Sequence, residues 1–246
     1  MSPSPLPEKN SPEEISPEAR KKKELIARAR KRMNRKIYLE QRGLYRYMLL
    51  SIVLFSVLGY LLLAIGLSLY PSFNWVHGSL SDLAVYPGGE KSAGFFASFL
   101  MCGAIGYFPV TFVYFKKALQ EDDKITLIGT VYLGLMNMLA GFEGTVSNAF
   151  HDLHVLGVAL FLISFVITLG LFALDAFLSK KYKIQGIFFI ILLAFSFTFY
   201  LIFMNAREKD PSLGFAIPEI AMISLYSLFN GIICYRAWNW MKSFGK

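Results

Sequence analysis

His151 and His154 stand three residues apart at the head of a long apolar run, a spacing that puts both imidazoles on one face of a helix. The surrounding segment, GFEGTVSNAFHDLHVLG, adds Glu143, Asn148 and Asp152, the last about 100° away from the histidine face on such a helix. A second polar segment, NWVHGSLSDLAVYPGGEKSAG, carries His77, Ser79, Ser81, Asp82 and Glu90, and a third, NAREKDPSLGFAIPEIAM, ends with Glu219. Imidazoles and carboxylates in this company could hold a metal or a polar headgroup. His77, His151, His154 and Asp82 would suit a zinc or iron centre. A zinc ion with one open position would activate water against a lipid ester or amide. The metal signal is short, because H-x-x-H occurs without HEXXH. Neither a G-x-S-x-G elbow, a GxxxxGK[ST] loop nor a cysteine cluster is present. Cys102 and Cys234 lie singly inside apolar runs, where cysteine behaves as a small hydrophobe.

Six apolar stretches must position these residues, at roughly 48–70, 93–115, 125–145, 153–178, 184–204 and 217–240. Each reaches the ~20 residues a helix needs to cross ~30 Å of hydrocarbon. The expected fold is therefore all-α, a six-transmembrane-helix bundle. Charged residues make up 17% of the chain, below the roughly 25% of soluble domains, while apolar residues reach 55%. The centres of the spans are almost free of charge, which argues against a charge-lined transport path. Asp175, near one end of span four, is expected to solvate beside Lys180 and Lys181. Pro109 should kink span two, and the aromatic residues are expected mostly on the lipid-facing surface. Glu143 and Glu219 sit among apolar neighbours near span ends, where an ionisable group is costly without a partner or water.

The net charge of +8 belongs almost entirely to the first 46 residues, which hold 13 Lys/Arg against 6 Asp/Glu. Residues 1–18 are rich in proline and serine and are expected to be disordered. Ser16-Pro17-Glu18 is a helix-start signal, opening a basic, partly amphipathic helix that runs toward Arg46. The chain thus divides into a tail, 1–46, and a membrane domain, 47–246. The tail holds the N-terminus in the cytoplasm and can meet anionic headgroups of membrane lipids; no aromatic or fold motif points to nucleic acid. Nine further Lys/Arg fall in segments on the tail's side against three on the other, so both termini are expected to be cytoplasmic in a multi-pass cell-membrane protein. No cleavable signal is expected, since the first apolar run begins near Met48. On that topology all three histidines, Asp82, Glu143 and Glu219 share the extracytoplasmic face. A buried carboxylate needs a donor, so Asp82 and His154 are expected in one pocket.

Ser81-Asp82 followed by Tyr86-Pro87-Gly88 before span two, Gly141, Glu143 and a loop histidine after span three, and Glu219 opening span six carry a resemblance. The chain resembles, over about residues 45–240, a mainly archaeal domain-of-unknown-function family related to the DRAM/FRAG-type membrane proteins of eukaryotes. It departs from the latter at Ile220, where an aromatic often follows the carboxylate. The resemblance implies a six-helix membrane fold, connected with lipid handling in the eukaryotic relatives.

Three activities fit these residues. Ser81, Asp82, Glu143, Asn148, His151, His154 and Glu219 could bind a lipid headgroup or other amphiphile at the extracytoplasmic face. The alternatives are a metal-dependent membrane hydrolase acting on lipids and a small-solute transporter. Of the three, headgroup binding makes least demand on motifs the sequence lacks, and it leans away from an enzyme.

Overall fold

The computed structural model describes residues 17–85, 91–145, 151–179 and 182–243. Expectations that fall on residues 1–16, Tyr86-Pro87-Gly88, Asn148, Lys180 and Lys181 lie outside them, as do those on the side chains of Glu143, His151 and Asp152. Seven helices follow in order: α1 (Pro17–Ser68), α2 (Asp82–Val85), α3 (Ala93–Glu121), α4 (Lys124–Thr145), α5 (His151–Leu178), α6 (Lys183–Lys209) and α7 (Ala216–Ser243). No strand occurs among the described residues.

Helix α1 begins at Pro17, where the start signal predicts it, and continues without a break through the basic run and the first span. Only Gly43 interrupts the good helix formers between Pro17 and Gly59, so nothing stops the helix at the chemical boundary. Packing nevertheless divides the chain into Met1–Gln41 and Arg42–Lys246. In the first unit the described side chains are exposed, Leu25, Ile26 and Met33 among them.

Six helical stretches in the second unit are long and apolar enough to cross a membrane, with mean hydropathy between 1.5 and 2.6. Only 17% of the most apolar window of Lys183–Lys209 is buried, and 44% in the best-covered span, Lys124–Phe142. A soluble bundle would turn those faces inward; here they look outward as a lipid-exposed surface. The protein is a multi-pass integral membrane protein.

Tight turns alternate the helix directions. Helix α3 ends at Asp122, which takes the left-handed conformation (φ 56°) and donates its N–H to the Ala118 carbonyl. The next residue caps α4, with Asp123 Oδ1 accepting from the Thr126 N–H at 3.0 Å. Glu121, Lys124, Leu178, Lys183 and Ser243 therefore mark one end of the bundle, and Ser68, Ala93, His151, Lys209 and Ala216 the other. Close approach of α1 and α3 depends on Gly106, because a Cβ there would lie 2.6 Å from Phe55 Cβ.

Aromatics such as Phe108, Phe112, Phe195, Phe197 and Tyr235 lie on the exposed surface as expected, and others fill the interior. Phe229 of α7 packs edge-on against Phe165 and Phe172 of α5 and Phe189 of α6. One turn away, Tyr226 meets Tyr107 of α3 and Phe161 of α5. With no water at that depth, each polar atom must find a protein partner. Tyr226 donates to Asn137 Oδ1 at 2.6 Å, and Asn137 Nδ2 donates to Thr111 Oγ1 at 3.1 Å. Asn137 thus braces α3 beside Pro109, which α3 carries within its length. Bulky aromatics fill the seams between helices because little hydrophobic driving force exists between helices in lipid, leaving packing and polar contacts to specify the fold.

Candidate functional site

At the Glu219 end, the segment after α1 folds back onto the bundle and is held by its own apolar residues. Leu80 and Leu83 are buried with Leu63, Tyr70, Phe96, Phe99 and Ala216. Ser79-Leu80-Ser81 leads into the short helix α2 at Asp82, with Asp82 Oδ2 accepting the Ser79 N–H at 2.7 Å. Glu219, in the first turn of α7, completes the arrangement. Its carboxylate accepts from the Leu80 N–H at 2.5 Å and from Ser79 Oγ at 2.9 and 3.0 Å. Ser79 spends its single proton on Glu219, so Ser81 Oγ, 2.6 Å away, acts as donor to Ser79.

Backbone pairing extends the same clamp. Gly214 donates to the Val76 carbonyl and Ala216 to the Gly78 carbonyl, each at 2.9 Å. A Cβ on Gly214 would overlap the backbone of His77 and Gly78, so the crossing admits only glycine. His77 Nδ1 lies 3.0 Å from the Ser212 carbonyl, and Ser212 donates its hydroxyl to Asp210 Oδ1 at 2.6 Å. Those bonds from Ser212, aided by the nearby His77, hold the Asp210 carboxyl below its usual range.

Of the residues expected at this face, Ser81, Asp82 and Glu219 meet around Ser79, and His154 lies within electrostatic range of Glu219. His77 sits in the adjoining loop pair. The hub of the described cluster is Glu219, with Asp82 holding the Ser79 N–H just ahead of α2. No three His, Cys, Asp or Glu side chains converge as a metal site among the described residues. The described polar groups at this end are joined chiefly to one another, and their arrangement ties the α1–α3 connection to the α6–α7 connection.

The opposite end holds an assembly the sequence reading missed. Asp175 of α5 is buried rather than solvated. It is 8% exposed and pairs with Arg236 of α7, itself 2% exposed, through Arg236 Nη2 and Asp175 Oδ2. A charge in a span is tolerated only when neutralised, so each residue is the other's reason for being there. Thr126 of α4 donates to Asp123 Oδ2 at 2.6 Å and lies 3.2 Å from Asp175 Oδ1. Its one proton serves Asp123 better. Arg236 stacks over the Tyr182 ring, 4.6 Å from its centroid, yet its Nε and Nη1 meet no acceptor among the described residues.

These residues line a cavity of 470 Å³ that also takes in Lys117, Glu121, Asp123 and Trp240. Lys117 Nζ lies 3.1 Å from Glu121 Oε2, and Trp240 Nε1 donates to Glu121 Oε1 at 2.8 Å. The volume is that of a small-molecule site. Beside it, an open apolar groove between α6 and α7 is lined by Ile184, Phe188, Leu228, Ile232 and Tyr235. Tyr235 and Arg236 are consecutive, so one turn of α7 serves the groove with one side chain and the cavity with the next.

Burial pushes the Asp123 carboxyl up, but the hydrogen bonds from the Thr126 hydroxyl and N–H, with Lys117 nearby, outweigh it and leave the group below its ordinary 3.8. A carboxylate depressed in the folded state supports folding above its ordinary value, and that support is lost as pH falls through the lower folded value. Amide exchange over 124–130 should therefore accelerate in wild type only below about pH 3.8. In Asp123→Asn the same step should be absent, and an unchanged step would mean another group caps α4.

The signal for this site was present but unpaired: one acidic and one basic residue inside apolar runs of different spans. Which spans pack together is not written in either run. No protein family, curated protein or solved structure matches this chain.

Proposed function

We propose that this six-span membrane protein binds an amphiphile, seating the polar head in the Arg236 cavity and the apolar chain along the α6–α7 groove. The observation that carries the reading is Arg236. Arg236, 2% exposed, lines a 470 Å³ cavity, and its Nε and Nη1 have no partner among the described residues. The cavity lies where the spans end, beside Glu121, Lys124, Leu178 and Lys183, which is headgroup depth in a bilayer. The groove next to it is apolar and open, as an acyl chain requires. On the orientation expected from the lysines and arginines, this end faces the cytoplasm. The headgroup expectation thus keeps its chemistry and changes ends. The basic helical run before Arg42 is read as drawn to anionic headgroups through its lysines and arginines.

Arg236→Lys tests the reading, because lysine keeps the charge that Asp175 needs and removes the planar donors. Purified full-length protein should carry co-purifying lipid by native mass spectrometry. The variant should fold and retain about tenfold less, the effect of losing two charge-assisted hydrogen bonds of modest net worth. Equal retention in both proteins would sink the proposal.

A further inference from the structure

Resting on the reading just given, the geometry points to a ligand of two charges: we infer that the head seated in the cavity carries an oxyanion and an ammonium group, as a phosphoethanolamine does. Among the described residues the cavity is lined by three carboxylates, Glu121, Asp123 and Asp175, against two cations, Lys117 and Arg236. A plain anion such as a phosphate monoester would answer Arg236 and be repelled by the surplus carboxylate. A plain cation would answer the carboxylates and leave the Arg236 nitrogens without an acceptor. One ligand with both groups satisfies the two demands together.

The placement of the charges supports a division of labour. Asp175 is committed to Arg236, and Thr126 stands between Asp175 and Asp123. That leaves Asp123 and Glu121 as the carboxylates with spare lone pairs, since each uses only part of its acceptor capacity on Thr126, Lys117 and Trp240. The oxyanion is assigned to Arg236 Nε and Nη1. The ammonium is assigned to Asp123 and Glu121, against the aromatic faces of Trp240 and Tyr182 that also line the cavity. The proteins' own ion pairs survive, because the ligand adds to each rather than replacing it.

The test titrates full-length protein with phosphatidylethanolamine, its N-acetylated analogue, phosphatidate, and soluble O-phosphoethanolamine, read by native mass spectrometry. N-acetylation removes the positive charge and keeps the phosphate and the chains. Phosphatidylethanolamine should be retained about tenfold better than the N-acetylated lipid and than phosphatidate. Asp123→Asn preserves an oxygen to cap α4 and should erase that preference while phosphate-dependent retention persists. Equal retention of the charged and acetylated lipids would overturn the two-charge ligand and leave amphiphile binding standing. Binding of soluble O-phosphoethanolamine with no lipid retained would do the reverse, keeping the two charges and overturning the amphiphile. Retention of every lipid without regard to Arg236→Lys or Asp123→Asn would overturn both.

Discussion

Arg236→Met should destabilise the protein by about 3–5 kcal/mol, since it removes the cation paired with the buried Asp175. The cost comes from the stranded carboxylate rather than from the lost bond alone. Among the described residues Asp175 Oδ1 has only the Thr126 hydroxyl at 3.2 Å, and that proton is better placed on Asp123. Asp175→Leu should cost a similar amount for the mirror reason, with a guanidinium left above the Tyr182 ring. The double variant, Asp175→Leu with Arg236→Met, should recover most of the loss, because removing both charges removes both desolvation penalties. A double-mutant cycle of unfolding in one detergent reads the coupling directly. Additive single effects would show that the two side chains do not act as a pair. The lipid measurement separates stability from binding, since the double variant can fold well and still bind nothing.

Glu219→Ala should open the other end of the molecule without touching the cavity. The substitution removes the acceptor of the Leu80 N–H and the Ser79 hydroxyl, and hydrogen bonds to a charged group are each worth roughly 1.5–3 kcal/mol. Part of that is regained when water reaches the half-buried Ser79, so a loss of about 2–4 kcal/mol at this end is expected. Hydrogen exchange should quicken at 79–83 and 214–216, where the clamp's own bonds lie, and stay unchanged at 124–130. Glu219→Gln should fall between wild type and alanine, because its carbonyl oxygen still accepts. Exchange that is indifferent to Glu219→Ala would mean that Leu80 and Leu83 alone hold the loop in the apolar cluster.

Both results turn on polar groups in an apolar setting, and the sequence treats the two ends differently. At the Glu219 end, the residues that could do chemistry were visible as types: Ser81, Asp82 and Glu219 meet around Ser79. What they do there was not visible. Ser79-x-x-Asp82 is a local capping signal, and the leucines at 80 and 83 form an apolar pair at helical spacing, so the loop's return was partly legible. The tie to Glu219, across 139 residues, was not.

At the Asp175 end the lesson is sharper. Asp175 was read against its neighbours in the chain, and its partner stands 61 residues away. Hydropathy, helix starts and the spacing of apolar runs are local quantities, and they determined the six spans, the start of α1 at Pro17 and the class of the protein. The backbone has no alternative in lipid, which is why that part follows from sequence alone. Which faces of those helices meet is decided by the fit of side chains such as Phe229 among Phe165, Phe172 and Phe189. Only that packing brings Asp175, Arg236 and Thr126 from three helices to one cavity, because in a membrane interior an unpaired charge is costly enough for the tertiary fold to supply its partner.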